Sequence, residues 1–471
     1  MHYKISICFL AFVFGLNGLA QPILQGQHIP QIDSVSVLKN SSPIINAPAL
    51  SNFFIALQDV ENSSADKVRI VQVGDSHIQA DFLTNSAKDI LQQKFGNGGL
   101  GFVFPHKLAK TNGPSTITYK TNALFLSSRN VRPIEEHPIG IAGYSLSTTN
   151  KNAAIEVNIK NEQDYVNSIK IITPNNQKFF DLGFSSTNLI PFQNYTTKNI
   201  THKVKAGETL FAIARKYKVT VNYIKKNNKL KSNTISVGKV LKVGTQQQIV
   251  PSIDASNFEI IDLHNEGTSY AYNSTVLLNK FYLIPNSVQN EFYINGLVLE
   301  NKNKGLTYSG IGVNGAKLSD YNKFDLFFEQ MQALAPNLLI ISFGTNESFD
   351  KVAAQDFIAQ LELFIKKIKQ FTPDAAILVT TPPPSTLYKK YENTFIAEYT
   401  QQIIAYANRS KSIAVLDMYD ALGGKKGVKL SKEKGFLAKD EVHYTKTGYQ
   451  EQGKILAESL LNAYQNYIFN L

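Results

Sequence analysis

The sequence predicts an α/β protein: a three-layer domain built on a parallel sheet, split by an inserted β-sandwich that itself carries a small βααβ module. Three observations lead there. Near the N-terminus, the apolar run VRIVQV (68–73) passes through the sharp turn GDS into a helical pattern over about 78–95. In the C-terminal part, continuous apolar strands alternate with amphipathic helices, which is the pattern of a parallel sheet covered on both faces. Between them, from about 110 to 305, the texture changes to short β-rich runs separated by Asn, Ser, Gly and Pro.

Taken in order, residues 1–20, MHYKISICFLAFVFGLNGLA, combine an early Lys4, an apolar stretch and a small-residue ending. They read as a secretory signal cleaved before Gln21. The only cysteine, Cys8, falls inside it, so the exported chain is expected to fold without a disulfide. No later stretch has the roughly 18 unbroken apolar residues of a membrane span. Residues 21–48, with four prolines, form an irregular leader. The first part of the α/β domain is assigned to 49–109, with Ile78, Phe82, Ile90, Leu91 and Phe95 along one helix face. The sandwich is assigned to 110–201 and 245–304, from runs such as AAIEVNIK, VNSIKIIT, STVLLNKFYLI and EFYINGLVLE. The second α/β part, 305–471, has strands LLIISF (338–343), AAILVTT (375–381) and IAVLD (413–417), with helices over 351–371, 393–408 and 446–468.

The formal charge of +11 suggests a polyanion binder until it is located. Residues 202–244 hold eleven Lys and Arg against one acid, Glu208, so this short segment carries nearly all of the excess. The charge therefore gives no reason to expect nucleic acid as a partner of the whole chain. The segment reads as a strand at HKVK, a turn at Ala206-Gly207, a helix over ETLFAIARKYK, a second helix from Thr220 to about Asn227, and a closing strand at KVLKV. These spacings resemble a LysM domain. The resemblance implies binding to N-acetylglucosamine-containing glycans such as peptidoglycan or chitin, with Gly207, Glu208, Thr209, Leu210, Asn228 and Ile235 as candidate contacts. Leu210 and Ile235 serve equally well as core residues of a very small fold.

The chemistry lies at the ends of the α/β strands. On its own, Ser76 in GDS is an ordinary helix N-cap. The segment DEVHYTKTGY, just before the last helix, changes its meaning. A nucleophilic serine needs a general base, and that base needs a carboxylate to set its tautomer. Asp440 and His443, three residues apart, can present both groups to one side. His77 is a poorer base because adjacent side chains diverge. Asn346, in SFGTNES, follows an apolar strand, where its amide can donate to a developing oxyanion. SGIGVNGAKL (309–318) offers a glycine-rich stretch whose backbone N–H can approach a substrate.

The order GDS, NGA, GTN and DxxH resembles the SGNH hydrolase superfamily, also called GDSL-type esterases, over roughly 67–109 and 305–468. The resemblance implies a flavodoxin-like sheet, Ser76 as nucleophile, His443 as base and then acid, and Asp440 as its orienting carboxylate. It implies an oxyanion hole from the backbone N–H groups of Ser76 and Gly315 and the side chain of Asn346. Two departures stand out: Glu347 where many members have Asp, and 239 positions from Ser76 to Gly315, which the insertion explains. FGNGGLGFVFP (95–105) and YINGLVLENKNKGLTYSGIGVNGA (293–316) are similar to segments flanking a carbohydrate-binding-like insertion in peptidoglycan O-acetylesterases.

The expectation is thus an exported serine esterase removing O-acetyl groups from a cell-wall glycan, peptidoglycan first, without cofactor or metal. The alternatives are an acetyl-xylan-type esterase, a glycan O-acetyltransferase, and a non-catalytic peptidoglycan-binding protein. The expected location is the periplasm or cell wall.

Overall fold

The computed structural model describes residues 42–185, 197–217, 219–247, 257–286 and 288–470. The expected signal (1–20) and the leader up to residue 41 lie outside them. Among the described residues, no helix is long and apolar enough to cross a membrane.

Five parallel strands form the central sheet: β1 (Lys67–Gly74), β2 (Gly305–Gly312), β3 (Leu338–Ser342), β4 (Ala376–Thr380) and β5 (Ala414–Leu416). Their spatial order is β2-β1-β3-β4-β5, with the pair Ile44–Ile45 added antiparallel beside β5. This is the flavodoxin-like doubly wound order. It reverses between β1 and β3, and the crevice outside the strand C-termini at such a reversal is where these sheets bind ligands.

Alternate residues along each strand feed opposite faces. Ile70, Leu338, Ile340 and Leu378 join a core with Ser51–Glu61, Phe82–Phe95 and the closing helix Lys446–Phe469. Val71, Leu339, Ile341 and Val379 join one with Ala354–Phe371 and Thr394–Ser410. Both faces are dry, which is why these strands read as unbroken apolar runs.

One helix differs from its predicted course. The periodicity predicts a single helix over about 78–95, whereas the chain forms Ser76–Gln79 and Phe82–Phe95. The break is at Asp81, whose φ is 59°, a left-handed conformation that no α-helix continues through. Its carboxylate is held by the Thr84 hydroxyl at 2.9 Å.

The insertion contains two five-stranded antiparallel sheets. Ile155, Val157, Phe281 and Leu283 of one share a core with Ile169, Ile171, Leu297 and Leu299 of the other. The second sheet takes in Gly99–Val103, ahead of the expected start at 110. Arg69 on β1 donates to both carboxylate oxygens of Glu300, at 2.7 and 3.0 Å, tying that sheet to the parallel one.

Within 197–247, the strands Thr197–Lys203 and Val240–Gln247 pair antiparallel around the helices Leu210–Lys216 and Val221–Asn227. Val204, Leu210, Ile213, Ala214, Ile224, Leu241 and Val243 form a separate small core.

Candidate active site

β1 ends in Gly74, and the chain turns at once into the short helix Ser76–Gln79. The turn is tight because a β-carbon on Gly74 would lie 2.7 Å from the Ser342 carbonyl oxygen. Asp75 caps this helix: its Oδ1 accepts from the His77 N–H at 2.9 Å. Ser76 is therefore released from the capping role that its sequence position suggests. Its Oγ lies 2.9 Å from His443 Nε2.

His443 Nδ1 lies 2.8 Å from Asp440 Oδ2. Asp440 Oδ1 accepts the backbone N–H groups of Val442 and His443 at 3.0 and 2.9 Å. Burial alone would push the Asp440 pKa up. The hydrogen bonds from the His443 ring and the two N–H groups, together with the charge of His443, outweigh it and hold the carboxyl below its usual range. An ionised Asp440 accepts from Nδ1–H, which leaves Nε2 with the lone pair that faces the Ser76 hydroxyl.

Asn346 follows β3 in the helix Thr345–Phe349. Its Nδ2 donates to Asp75 Oδ2 at 3.1 Å and to the Ala316 carbonyl at 2.9 Å. Gly315 follows β2 with φ 77° and open space where a β-carbon would lie. Ser76, Gly315, Asn346, Asp440 and His443 all line one open cleft of about 590 Å³, which lies within the usual range for small-ligand sites.

Beneath the cleft lie Asp75, Glu347 and His77, to which the sequence assigned no role in the site. Asp75 is 1% exposed. Burial pushes its pKa up to about 7, against the opposing N–H of His77 and the charge of His443. Glu347, 4% exposed, accepts from the N–H groups of Leu318 at 2.9 Å and Gly344 at 3.1 Å. Burial raises it to about 7 despite those bonds. His77 turns inward, its Nδ1 3.0 Å from the Tyr449 hydroxyl, its ring 5.4 Å from that of His443. Burial, then the charge of His443, pushes it down to about 3, so it stays neutral. The only signal for these groups is their position within the GDS and GTN motifs. Among the described residues, no group of three or more His, Cys, Asp or Glu is arranged to hold a metal ion.

The second set of candidates lies in the small module. Gly207 has φ 82° and open space around its α-carbon. The Glu208 carboxylate receives the Lys205 N–H at 2.8 Å and lies 2.6 Å from His202 Nε2. Thr209 caps the first helix through Ala212 N–H. Leu210 is 2% exposed and belongs to the core, which leaves it no surface for a ligand. Asn228 is occupied by backbone groups, receiving Lys242 N–H and donating to Ile224 and Lys242 carbonyls. Ile235 packs half-buried against the same core. Phe211, absent from the expected set, is 70% exposed beside Leu210.

Residues 290–451 match the GDSL-like Lipase/Acylhydrolase family, and residues 202–244 match the LysM domain. Over 43 residues the chain is 51% identical to a probable peptidoglycan endopeptidase LytE of Bacillus subtilis (strain 168). Over the same length it is 46% identical to a probable autolysin SsaALP of Staphylococcus aureus (strain NCTC 8325 / PS 47). Each match covers 9% of this chain, and only 13% and 16% of those relatives. Among solved structures, a peptidoglycan O-acetylesterase is similar over 88% of this chain and 96% of its own, with TM-score 0.60 and 22% identity. That likeness is one of fold.

Proposed function

Because the chain carries a GDSL-like lipase/acylhydrolase domain together with a LysM domain, we propose that it is an exported serine esterase that removes O-acetyl groups from peptidoglycan. The observation that carries the chemistry is the relay Ser76 Oγ, His443, Asp440, with links of 2.9 and 2.8 Å, at the switch point of the sheet. The substrate class is supported by the LysM match and by the fold shared with a peptidoglycan O-acetylesterase.

In this mechanism Ser76 Oγ attacks the acetyl carbonyl carbon as its proton passes to His443 Nε2. Asp440 stabilises the imidazolium without taking the proton. The negative oxygen of the tetrahedral intermediate is received by the Ser76 and Gly315 N–H groups and by Asn346. The Asn346 amide is aimed by Asp75 and the Ala316 carbonyl, and it shares one N–H with the oxyanion. Collapse breaks the bond to the sugar oxygen, which takes the proton from His443. A water deprotonated by His443 then attacks the acetyl-serine; collapse breaks the bond to Ser76 Oγ, which takes the proton back from His443, and acetate leaves. The His443 and Asp440 side chains are 42% and 48% exposed, so water has a direct approach.

The test is acetate release from O-acetylated peptidoglycan, with acetylated xylan in parallel. Release from peptidoglycan that falls by at least about 10³-fold in Ser76→Ala supports the reading. Release from xylan or a small ester alone keeps the esterase and removes the substrate. Absence of release from all three, with no labelling of Ser76 by a fluorophosphonate, returns the chain to a binding protein.

A further inference from the structure

The loop that carries Asp440 and His443 has two sides. Asp440, Val442 and His443 face the catalytic cleft, while Glu441 between them lines a separate groove of about 430 Å³. The far wall of that groove is a small hairpin, Thr386–Leu387 paired with Tyr391–Glu392. The hairpin is fastened to the catalytic loop by the Thr386 N–H, which donates to the Glu441 carbonyl at 3.0 Å. At its tip, Tyr388 and Lys389 have φ of 54° and 58°, and two consecutive non-glycine residues in the left-handed region are costly. The Tyr388 ring packs edge-on at 6.2 Å against Phe349, which lines the cleft. The groove and the cleft thus flank one loop, and the hairpin that borders the groove also reaches the cleft, through Tyr388 and Phe349.

The groove is basic but not uniformly so. Lys389, Lys390 and Lys425 line it, are exposed, and have no ion-pair partner among the described residues. Lys432 is paired with Glu441 at 2.8 Å, and Lys390 lies over the ring of Tyr391, which is 55% exposed. Lys429 is paired with Glu433 at 3.9 Å, and Glu392 stands among the lysines. Interspersed carboxylates disfavour a densely phosphorylated chain and suit a ligand that bears both carboxylates and an amine. Exposed Tyr391 adds flat apolar surface. A solvated lysine face has no need of a strained hairpin tip or of aromatic continuity with the active site.

We propose that this groove is a second substrate subsite, which takes the carboxylate-bearing peptide attached to the glycan strand whose acetyl ester sits at Ser76. The inference rests on the peptidoglycan reading above and names which part of that polymer the enzyme grips beside the ester. In this reading the LysM domain holds the glycan, whereas this groove reads the peptide next to the scissile bond.

The test uses the full chain and its Lys389→Glu/Lys390→Glu/Lys425→Glu variant, with thermal unfolding as the check of folding. Acetate release is measured on O-acetylated peptidoglycan with its peptides and on the same glycan stripped of them by an amidase. The ratio of the two kcat/KM values is expected to fall about tenfold in the variant, as for three exposed ion pairs of modest strength. The fall should shrink in about 0.5 M salt. Reversal at Lys151, Lys302 and Lys366, exposed and outside both cavities, should leave the ratio in place. An unchanged ratio in the groove variant, or an equal fall in the remote one, overturns the proposal. In the Ser76→Ala background, titration with a soluble disaccharide-peptide reads the groove without chemistry. Binding that weakens on lysine reversal keeps the groove even if no acetate is ever released, which would remove the esterase reading alone. Preferential binding of poly(glycerol phosphate) overturns the peptide assignment.

Discussion

At the scale of the residue, the site depends on a division of labour between adjacent side chains. Asp75 caps the short helix, so Ser76 is free for His443. Asp75 also receives the Asn346 amide, so one buried carboxylate orients the groups on either side of the cleft. We expect Asn346→Ala to lower kcat by about 10²- to 10³-fold with little change in KM, measured by steady-state acetate release. Glu347 plays a related part below the surface, joining the N-terminus of the helix Leu318–Tyr321 to Gly344. Its folded pKa, about 7, stands above the ordinary 4.5. The stability it contributes is therefore full below about 4.5 and is lost as pH rises toward 7. Glu347→Gln has no such titration and satisfies only one of the two N–H groups. It should destabilise by about 1 to 3 kcal/mol in urea unfolding. The gap from wild type should be widest in acid and narrow as pH rises through that window; a pH-independent gap would refute it.

At the scale of the element, the catalytic geometry depends on how closely β2 passes the Ser76 helix. A β-carbon on Gly312 would lie 2.6 Å from the Asp75 carbonyl oxygen, a backbone atom that cannot swing aside. Gly312→Ala should therefore push the helix off its strand, at a cost of about 1 to 3 kcal/mol, and should lower kcat along with thermal stability. Loss of stability with kcat intact would mean that the helix position is not critical. The predicted helix over 78–95 fails at one residue, Asp81, because its left-handed backbone follows from where the chain must go next. Apolar spacing carries no record of that turn.

At the scale of the whole molecule, residues 75–304 separate β1 from β2 in the sequence, yet these strands are hydrogen-bonded neighbours from Lys67–Gly305 to Gly74–Gly312. The insertion leaves the sheet in register because both of its ends return to the same edge, where Arg69 and Glu300 join. The LysM domain adds a cationic module to this frame. In the proposed function it raises the local concentration of acetyl esters without touching the reacting atoms. Deleting 202–244 should lower acetate release from insoluble wall, relative to a small soluble ester, by roughly tenfold. Equal losses on both substrates would mark the module as structural.

Period and order were legible without coordinates. Unbroken apolar strands alternating with helices specify a sheet covered on both faces, since only burial on both sides tolerates such runs. The LysM spacing was likewise local, because a fold of that size leaves few positions free to vary. The chain order of GDS, NGA, GTN and DxxH pointed to Ser76, Gly315, Asn346, Asp440 and His443, and the tertiary structure brings all five to one cleft. What only that structure decided is what each group does to its neighbours. Whether Asp75 or Ser76 caps the helix depends on the rotation of one turn. That Leu210 and Asn228 are taken up by the small core and its strand depends on packing. The raised carboxyls of Asp75 and Glu347 and the neutral His77 depend on removal from water, and a sequence records side chains but not the depth at which folding buries them.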